Sequence, residues 1–175
     1  KFDGFICTGA PVEKIDFDKV IYWEELKIIF NWVRKKSLYS YFICWGAQAA
    51  LKIFYNIDKY SLNEKLSGIY SQDVIGSSSI LSNLQKPLFI PVSRFTGIKS
   101  NDIKKISDLE LLLYSKESGP CLIENKKYKE HYNFNHFEYS TKTLELEYKR
   151  DKKRGLNVNI PINYFIDDNP NDKPI

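Results

Sequence analysis

The sequence predicts an α/β fold, and three observations predict it. The segment Tyr39 to Ile43 is aromatic and β-branched in the manner of a buried strand. It passes through Cys44 into Gly46, Ala47, Gln48, Ala49, Ala50 and Leu51, most of which are strong helix formers. Upstream, Phe2 to Cys7 reads as a strand, and Trp23 to Lys35 sets Leu26, Ile29, Phe30 and Val33 on one helical face with Lys27, Arg34 and Lys35 between them. Strand, loop, helix and strand in that order make one β-α-β unit.

The junction at Cys44 organises the rest. A cysteine between a strand and a helix sits on a tight turn above the end of the sheet. The positive end of the helix favours its thiolate, and the backbone N–H of Trp45 can face a developing oxyanion. A buried structural cysteine is the competing reading, because free cysteine is among the most buried residue types. The first strand exits into Thr8-Gly9-Ala10-Pro11, a turn at the carboxyl end of a strand, which is either one of the places where α/β folds build their sites or an ordinary exit into a loop.

The helix from Ala47 is expected to reach about Tyr55 and to end at Asn56, a residue suited to a C-cap. Ser61 to Tyr70 passes from a polar turn into a strand that carries Lys65, and Pro87 to Phe95, punctuated by prolines, reads as an edge strand or an extended loop. Ser93-Arg94 is either a polar pair for a ligand or a surface turn. Leu109 to Tyr114, Pro120 to Ile123 and Tyr128 to Phe134 are further strands, Thr141 to Arg154 is a charged helix, and Pro161 to Ile175 is irregular.

Composition bounds the function. The 175 residues have room for one domain with a real core, and 43% hydrophobic content argues against disorder. The net charge of +4 comes from lysines spread along the chain. The close groups Lys35-Lys36, Lys126-Lys127 and Lys152-Lys153-Arg154 read as solvated faces, so no nucleic-acid partner is expected. Three cysteines, Cys7, Cys44 and Cys121, make a poor disulfide framework and fit a reducing cytoplasm. None has metal-ligand spacing, so no metal is expected. No run is apolar and long enough for a membrane span, and no signal peptide is apparent. With no methionine in the chain, Lys1 is not expected to open a reading frame. The chain is expected to be one domain of a longer protein, without its N- and C-terminal flanks.

A cysteine nucleophile served by an imidazole in this chain must use His131 or His136. Glu138 follows His136 by two, so in an extended segment both side chains leave on one side, and the carboxylate can orient the ring. Glu130 is adjacent to His131 and would point to the opposite face. A surface histidine near a glutamate remains the ordinary alternative.

Several separate stretches then coincide: TGAPVE, VIYWEEL, ICWGAQAAL, EKLSGIY, HFEY with TLELEYKRD, and NYFIDDNP. In this order they resemble the homoserine O-acyltransferase family of methionine biosynthesis. The resemblance implies a three-layer sandwich with a mostly parallel sheet, flavodoxin-like in the manner of class I glutamine amidotransferases. It implies Cys44 as acyl acceptor, His136 and Glu138 as its catalytic partners, and Lys65, Ser93 and Arg150 as substrate contacts. Backbone at Gly9, Ala10 and Trp45 would serve the oxyanion. A glutamate after TGAP-V goes with acetyl transfer and a glycine with succinyl transfer, and this chain has Glu13. A carboxylate there would repel and crowd the free carboxylate of a succinyl group.

The resemblance further implies L-homoserine and acetyl-CoA as substrates, no cofactor, and a homodimer. The sequence departs from the family pattern at Asn135, where a glycine is usual, at Phe137, where a proline is, and at Val92, where a histidine is. The other readings are a homoserine O-succinyltransferase, a glutamine amidotransferase, against which Phe42 counts because glycine is usual two residues before that nucleophile, and a non-catalytic relative.

Overall fold

The computed structural model describes residues 2–36 and 38–174. Seven strands form one sheet: β1 (Gly4–Cys7), β2 (Tyr39–Ile43), β3 (Tyr60–Val74), β4 (Leu88–Gly97), β5 (Glu110–Ser115), β6 (Gly119–Asn125) and β7 (Glu130–Asn133). The helices are α1 (Trp23–Lys35), α2 (Trp45–Tyr55), α3 (Ser100–Lys104) and α4 (Thr143–Lys153). The spatial order is β1-β2-β7-β6-β5-β3-β4. The parallel pairing expected for most of the sheet is confined to β1, β2 and β7, and the remaining pairs are antiparallel. That parallel part is the β1-α1-β2 unit read from the sequence, extended by β7, and it is where the cysteine emerges.

Helix α1 has Glu24 and Glu25 in its first turn and Arg34 and Lys35 in its last, which suits the helix dipole. It buries Trp23, Phe30 and Val33, whereas Ile29, expected on the same face, is 46% exposed. Three sites of deep burial already fix the orientation of the helix, and Ile29 lies at the margin of that stripe. Helix α2 is the central one, with every residue from Trp45 to Leu51 buried. Its small Ala47, Ala49 and Ala50 let the helix lie close on the sheet. It starts two residues earlier than the sequence suggests and ends, as expected, on Asn56 in the left-handed conformation, φ 54°.

Phe5, Phe30, Phe42, Leu51, Ile103, Ile123 and Tyr132 pack between the sheet and the α1–α3 layer. On the opposite face of β1 and β2, Ile6 and Tyr39 are exposed, so the described residues supply one helical layer over these strands. The strands β3 and β4 form a long hairpin. It runs to Val74 on one side and to Gly97 on the other, beyond the limits the sequence suggested. Of the two readings of the proline-punctuated segment, the edge strand is the one formed, and β4 with Pro91 closes the sheet.

One buried ion pair ties α1 to the middle of the sheet. Arg34 Nε and Nη2 donate to the two carboxylate oxygens of Glu130 at 2.7 and 2.6 Å, and Nη2 also donates to the Tyr55 hydroxyl at 2.9 Å. The side chain of Glu130 is 1% exposed. Removing one partner of such a pair leaves a charge stripped of water. Arg34→Ala is therefore expected to cost about 3–5 kcal/mol in urea unfolding, and an unchanged midpoint would show that the pair does not hold the helix.

Candidate active site

Cys44 joins β2 to α2 with φ 53° and ψ −119°, a conformation that costs a non-glycine residue about 1–3 kcal/mol. The surroundings enforce it. The Cys44 N–H donates to Asn133 O at 2.7 Å, and the Cys44 carbonyl accepts from Ala47 and Gln48 at 3.1 and 3.2 Å. Gly46 permits the turn, since a Cβ there would stand 2.8 Å from the carbonyl oxygens of both Cys7 and Thr8. A Cβ on Gly9 would stand 3.2 Å from Cys44 Cβ, 3.6 Å from its sulfur and 3.8 Å from Trp45 N. The loop after β1 thus runs across the sulfur. The Trp45 N–H lies in the first turn of α2, where the helix offers it no acceptor.

His136 approaches from the segment after β7. Its N–H donates to Pro91 O at 2.9 Å, which fastens it to β4. Its ring Nδ1 meets Glu138 Oε1 at 2.7 Å, and the ring stacks on Tyr139 with centroids 4.1 Å apart. The same-side exit expected of an extended segment is achieved differently: residues 137–138 form a turn closed by Tyr139 N–H to His136 O at 3.3 Å. The ring and Cys44 line the same cavity. Burial lowers the pKa of His136, but hydrogen bonds to Cys44 and Glu138 outweigh it and lift the value to about 9. Glu138 is subject to burial, which raises its pKa, yet the bond to His136 prevails and holds the carboxyl below its ordinary value. Burial pushes the other two thiols up, Cys7 to about 11 and Cys121 to about 12.

A cavity of about 580 Å³ opens over the sulfur. Cys44, His136 and Glu138 line it, as do Gly9, Ala10 and Glu13 from the loop after β1. Lys65 of β3, Ser93 of β4 and Arg150 of α4 complete the set, so nine of the ten residues singled out from the sequence face one space. Trp45 contributes through its backbone beside Gly9. Glu13 is held in place, its Oε2 accepting from the Phe95 N–H at 2.8 Å. Lys65 is buried and bonds Asp151 at 2.7 Å, with Glu147 at 3.6 Å. Arg150 pairs with Asp151 at 2.9 Å.

Among the members of the site that the sequence reading missed are Glu147 and Asp151. Glu147 accepts from Ser93 Oγ at 2.5 Å and from the Tyr139 hydroxyl at 3.0 Å. The signal was present in the i, i+3 and i+4 spacing of Glu147, Arg150 and Asp151, which puts all three on one face of α4. Ser93 and Arg94 do not act as a pair. Ser93 lines the cavity, while Arg94 is buried and donates to Asn135. Val92 is fully buried and lines no part of the cavity. His131 lies apart from the cysteine, its Nε2 3.3 Å from Glu124, while Glu130 on the other face pairs with Arg34. Among the described residues no group of three or more His, Cys, Asp or Glu could hold a metal ion, and no helix is long and apolar enough to cross a membrane.

The fold is similar to that of glutamine amidotransferases. A glutamine amidotransferase from Thermotoga maritima superimposes with a TM-score of 0.68 at 13% identity, covering 87% of this chain and 66% of that one. One from Methylobacillus flagellatus gives 0.68 at 12% identity over 86% and 57%. The sequence narrows this further. The chain belongs to the homoserine O-succinyltransferase family, whose model matches residues 1–175. It is 43% identical to a homoserine O-acetyltransferase of Bacillus cereus and 46% identical to one of Thermotoga petrophila, in each case over all of this chain. It spans 58% of the length of either relative.

His136 supplies a measurable consequence. Its folded value of about 9 lies above the ordinary 6.5, so its bonds contribute stability in full below about 6.5 and lose it as the pH rises through 9. The ring resonances of His136 are expected to titrate near 9 by NMR. In Cys44→Ala the midpoint is expected to fall, because the partner that offsets burial is gone. A midpoint at or below the ordinary value in the unmodified protein would contradict the geometry described.

Proposed function

We propose that this chain is the acyltransferase domain of a homoserine O-acetyltransferase, which moves an acetyl group from acetyl-CoA to the hydroxyl of L-homoserine in methionine biosynthesis. We further propose that it works in the cytoplasm, within a homodimer and without a cofactor. The observation that carries the reading is one cavity that holds the strained Cys44, a His136 ring that Glu138 pins at 2.7 Å, and a fixed Glu13.

The proposed reaction has two acyl transfers. Cys44 passes its proton to His136, and the thiolate attacks the carbonyl carbon of the thioester. The oxyanion that forms accepts hydrogen bonds from backbone N–H groups at Trp45 and the Gly9–Ala10 loop. Collapse breaks the carbon–sulfur bond to CoA, whose thiolate takes the proton from His136. The raised pKa of His136 depends in part on Cys44. An acylated sulfur no longer supplies that support, so the ring is left neutral and ready to act as base. It then takes the hydroxyl proton of homoserine as the oxygen attacks the enzyme thioester, and Cys44 leaves as thiolate.

Four carboxylates and four cations face the cavity, which suits a zwitterion: Glu13, Glu138, Glu147 and Asp151 against Lys14, Lys65, Arg150 and Arg154. Arg150, half exposed and with a planar fork, receives the amino-acid carboxylate. Glu147 receives the ammonium group. Glu13 favours acetyl over succinyl, because its fixed carboxylate would lie against the free carboxylate of the larger donor.

Intact mass after mixing purified protein with each donor tests the reading. An acetyl adduct on Cys44 that homoserine discharges is expected, with none in Cys44→Ala and little from succinyl-CoA. Glu13→Gly is expected to raise the succinyl adduct relative to the acetyl one by roughly tenfold or more. A succinyl adduct on the unmodified protein would overturn the role of Glu13. No adduct from either donor would favour a non-catalytic relative, and ammonia released from glutamine an amidotransferase.

A further inference from the structure

The acyl-transfer steps leave one deeply buried cation without a task. Arg94 on β4 is 3% exposed. Its neighbour Ser93 faces the cavity, so Arg94 points the other way, into the protein. Its Nη1 donates to Asn135 Oδ1 at 2.7 Å and its Nη2 to the Ser118 carbonyl, while its Nε is buried with no partner. Its hydrogen-bond partners are neutral oxygens, and among the described residues no carboxylate pairs with it. A guanidinium stripped of water without a counter-ion costs several kcal/mol, so an arrangement that keeps one points to a use for its field.

The groups whose charge would reach it are Cys44, Cys121 of β6, Tyr60 of β3 and Glu13 in the loop after β1, with Tyr70 of β3 also near. Cys121 is held as a neutral thiol by burial. The carboxylate of Glu13 is already engaged by Phe95 N–H. Cys44 is the group in this set that must become an anion if it attacks a thioester. The same guanidinium also touches the other half of the chemistry. Asn135, its acceptor, directly precedes His136, and the His136 N–H is itself fastened to Pro91 of β4. The histidine segment is therefore tied to β4 at two points, and one of them is Arg94.

We propose that Arg94 is a positioning residue that aims His136 by holding Asn135 and stabilises negative charge on the Cys44 sulfur from inside the protein. The proposal rests on Cys44 being the nucleophile. A lysine would keep the charge, but as a point charge it cannot hold Asn135 and the Ser118 carbonyl in the fixed geometry of a fork.

Two readings on the purified protein separate these tasks. The first is the pH dependence of Cys44 alkylation by iodoacetamide, followed on the Cys44 peptide by mass, which reports thiolate. The second is the rate at which homoserine discharges acetyl-Cys44. Near-UV circular dichroism checks that each variant is folded. Arg94→Met is expected to move the alkylation midpoint up by about one pH unit. Arg94→Lys is expected to restore the midpoint while slowing discharge roughly tenfold. Asn135→Ala, which keeps the charge and cuts the tie, is expected to slow discharge by a similar factor with the midpoint in place. Should Arg94→Met not fold, Asn135→Asp serves instead. It sets a carboxylate on the guanidinium, cancels its field, and is expected to raise the midpoint. An unmoved midpoint in the folded charge-removing variant overturns the electrostatic task, and full discharge in Asn135→Ala overturns the positioning task. If the unmodified protein forms no acetyl adduct on Cys44, the functional reading fails first. If it does and these variants match it, the inference about Arg94 alone falls.

Discussion

A single backbone reversal constrains everything around it. The chain leaves β2, turns through Cys44 in a conformation that L-residues avoid, and enters α2 with no intervening loop. Several features distant in sequence exist to make that reversal possible. Asn133 at the end of β7 supplies the acceptor for the cysteine N–H, Gly46 lets the helix start pass under β1, and Gly9 lets the next loop pass over the sulfur. The strain is held in place by the parallel part of the sheet, whose three strands all end beside the cysteine. That part is the rigid floor of the cavity.

The walls are built on a different principle. They consist of charged side chains that satisfy one another before any substrate arrives. Lys65 lies between Asp151 and Glu147, and Glu147 also accepts from Ser93 and Tyr139. A site arranged in this way is preorganised: its dipoles and charges are already oriented. Mutual pairing offsets the cost of burying these charges. Each cation that loses water there has a carboxylate within reach, with Arg94 the exception among those near the sulfur.

The sequence disclosed the local part of this design and concealed the long-range part. The β1-α1-β2 unit and the turn at Cys44 were legible because apolar period and helix propensity act over a few residues. The length of β3 was not, since Ser71, Gln72 and Asp73 look like loop residues until pairing with β4 and β5 holds them. The five-residue α3 is too short to carry a period. Cys44, His136 and Glu138 could be suggested from spacing, and the resemblance to a family sharpened that suggestion. Arg94 could not be understood at all from its neighbours in the chain. Beside Ser93 it looked like half of a ligand pair, and only strand alternation sends the two side chains to opposite sides. Glu147 and Asp151 were hidden for a similar reason, as ordinary charges in a helix full of them.

The hairpin of β3 and β4 carries Lys65, Ser93 and Phe95, yet β3 meets the rest of the sheet over Asp73 and Val74 alone. What clasps the far end of the hairpin to the floor is polar: Glu13 on Phe95, Gln48 on Thr96, Asn135 on Arg94 and His136 on Pro91. Glu13, the residue proposed to select the donor, is thus also a fastener of the wall. Any exchange of Glu13 for a residue without a carboxylate would release Phe95 and loosen the cleft by the same stroke, so under the proposed role donor preference and the mechanical closure of the site would change together.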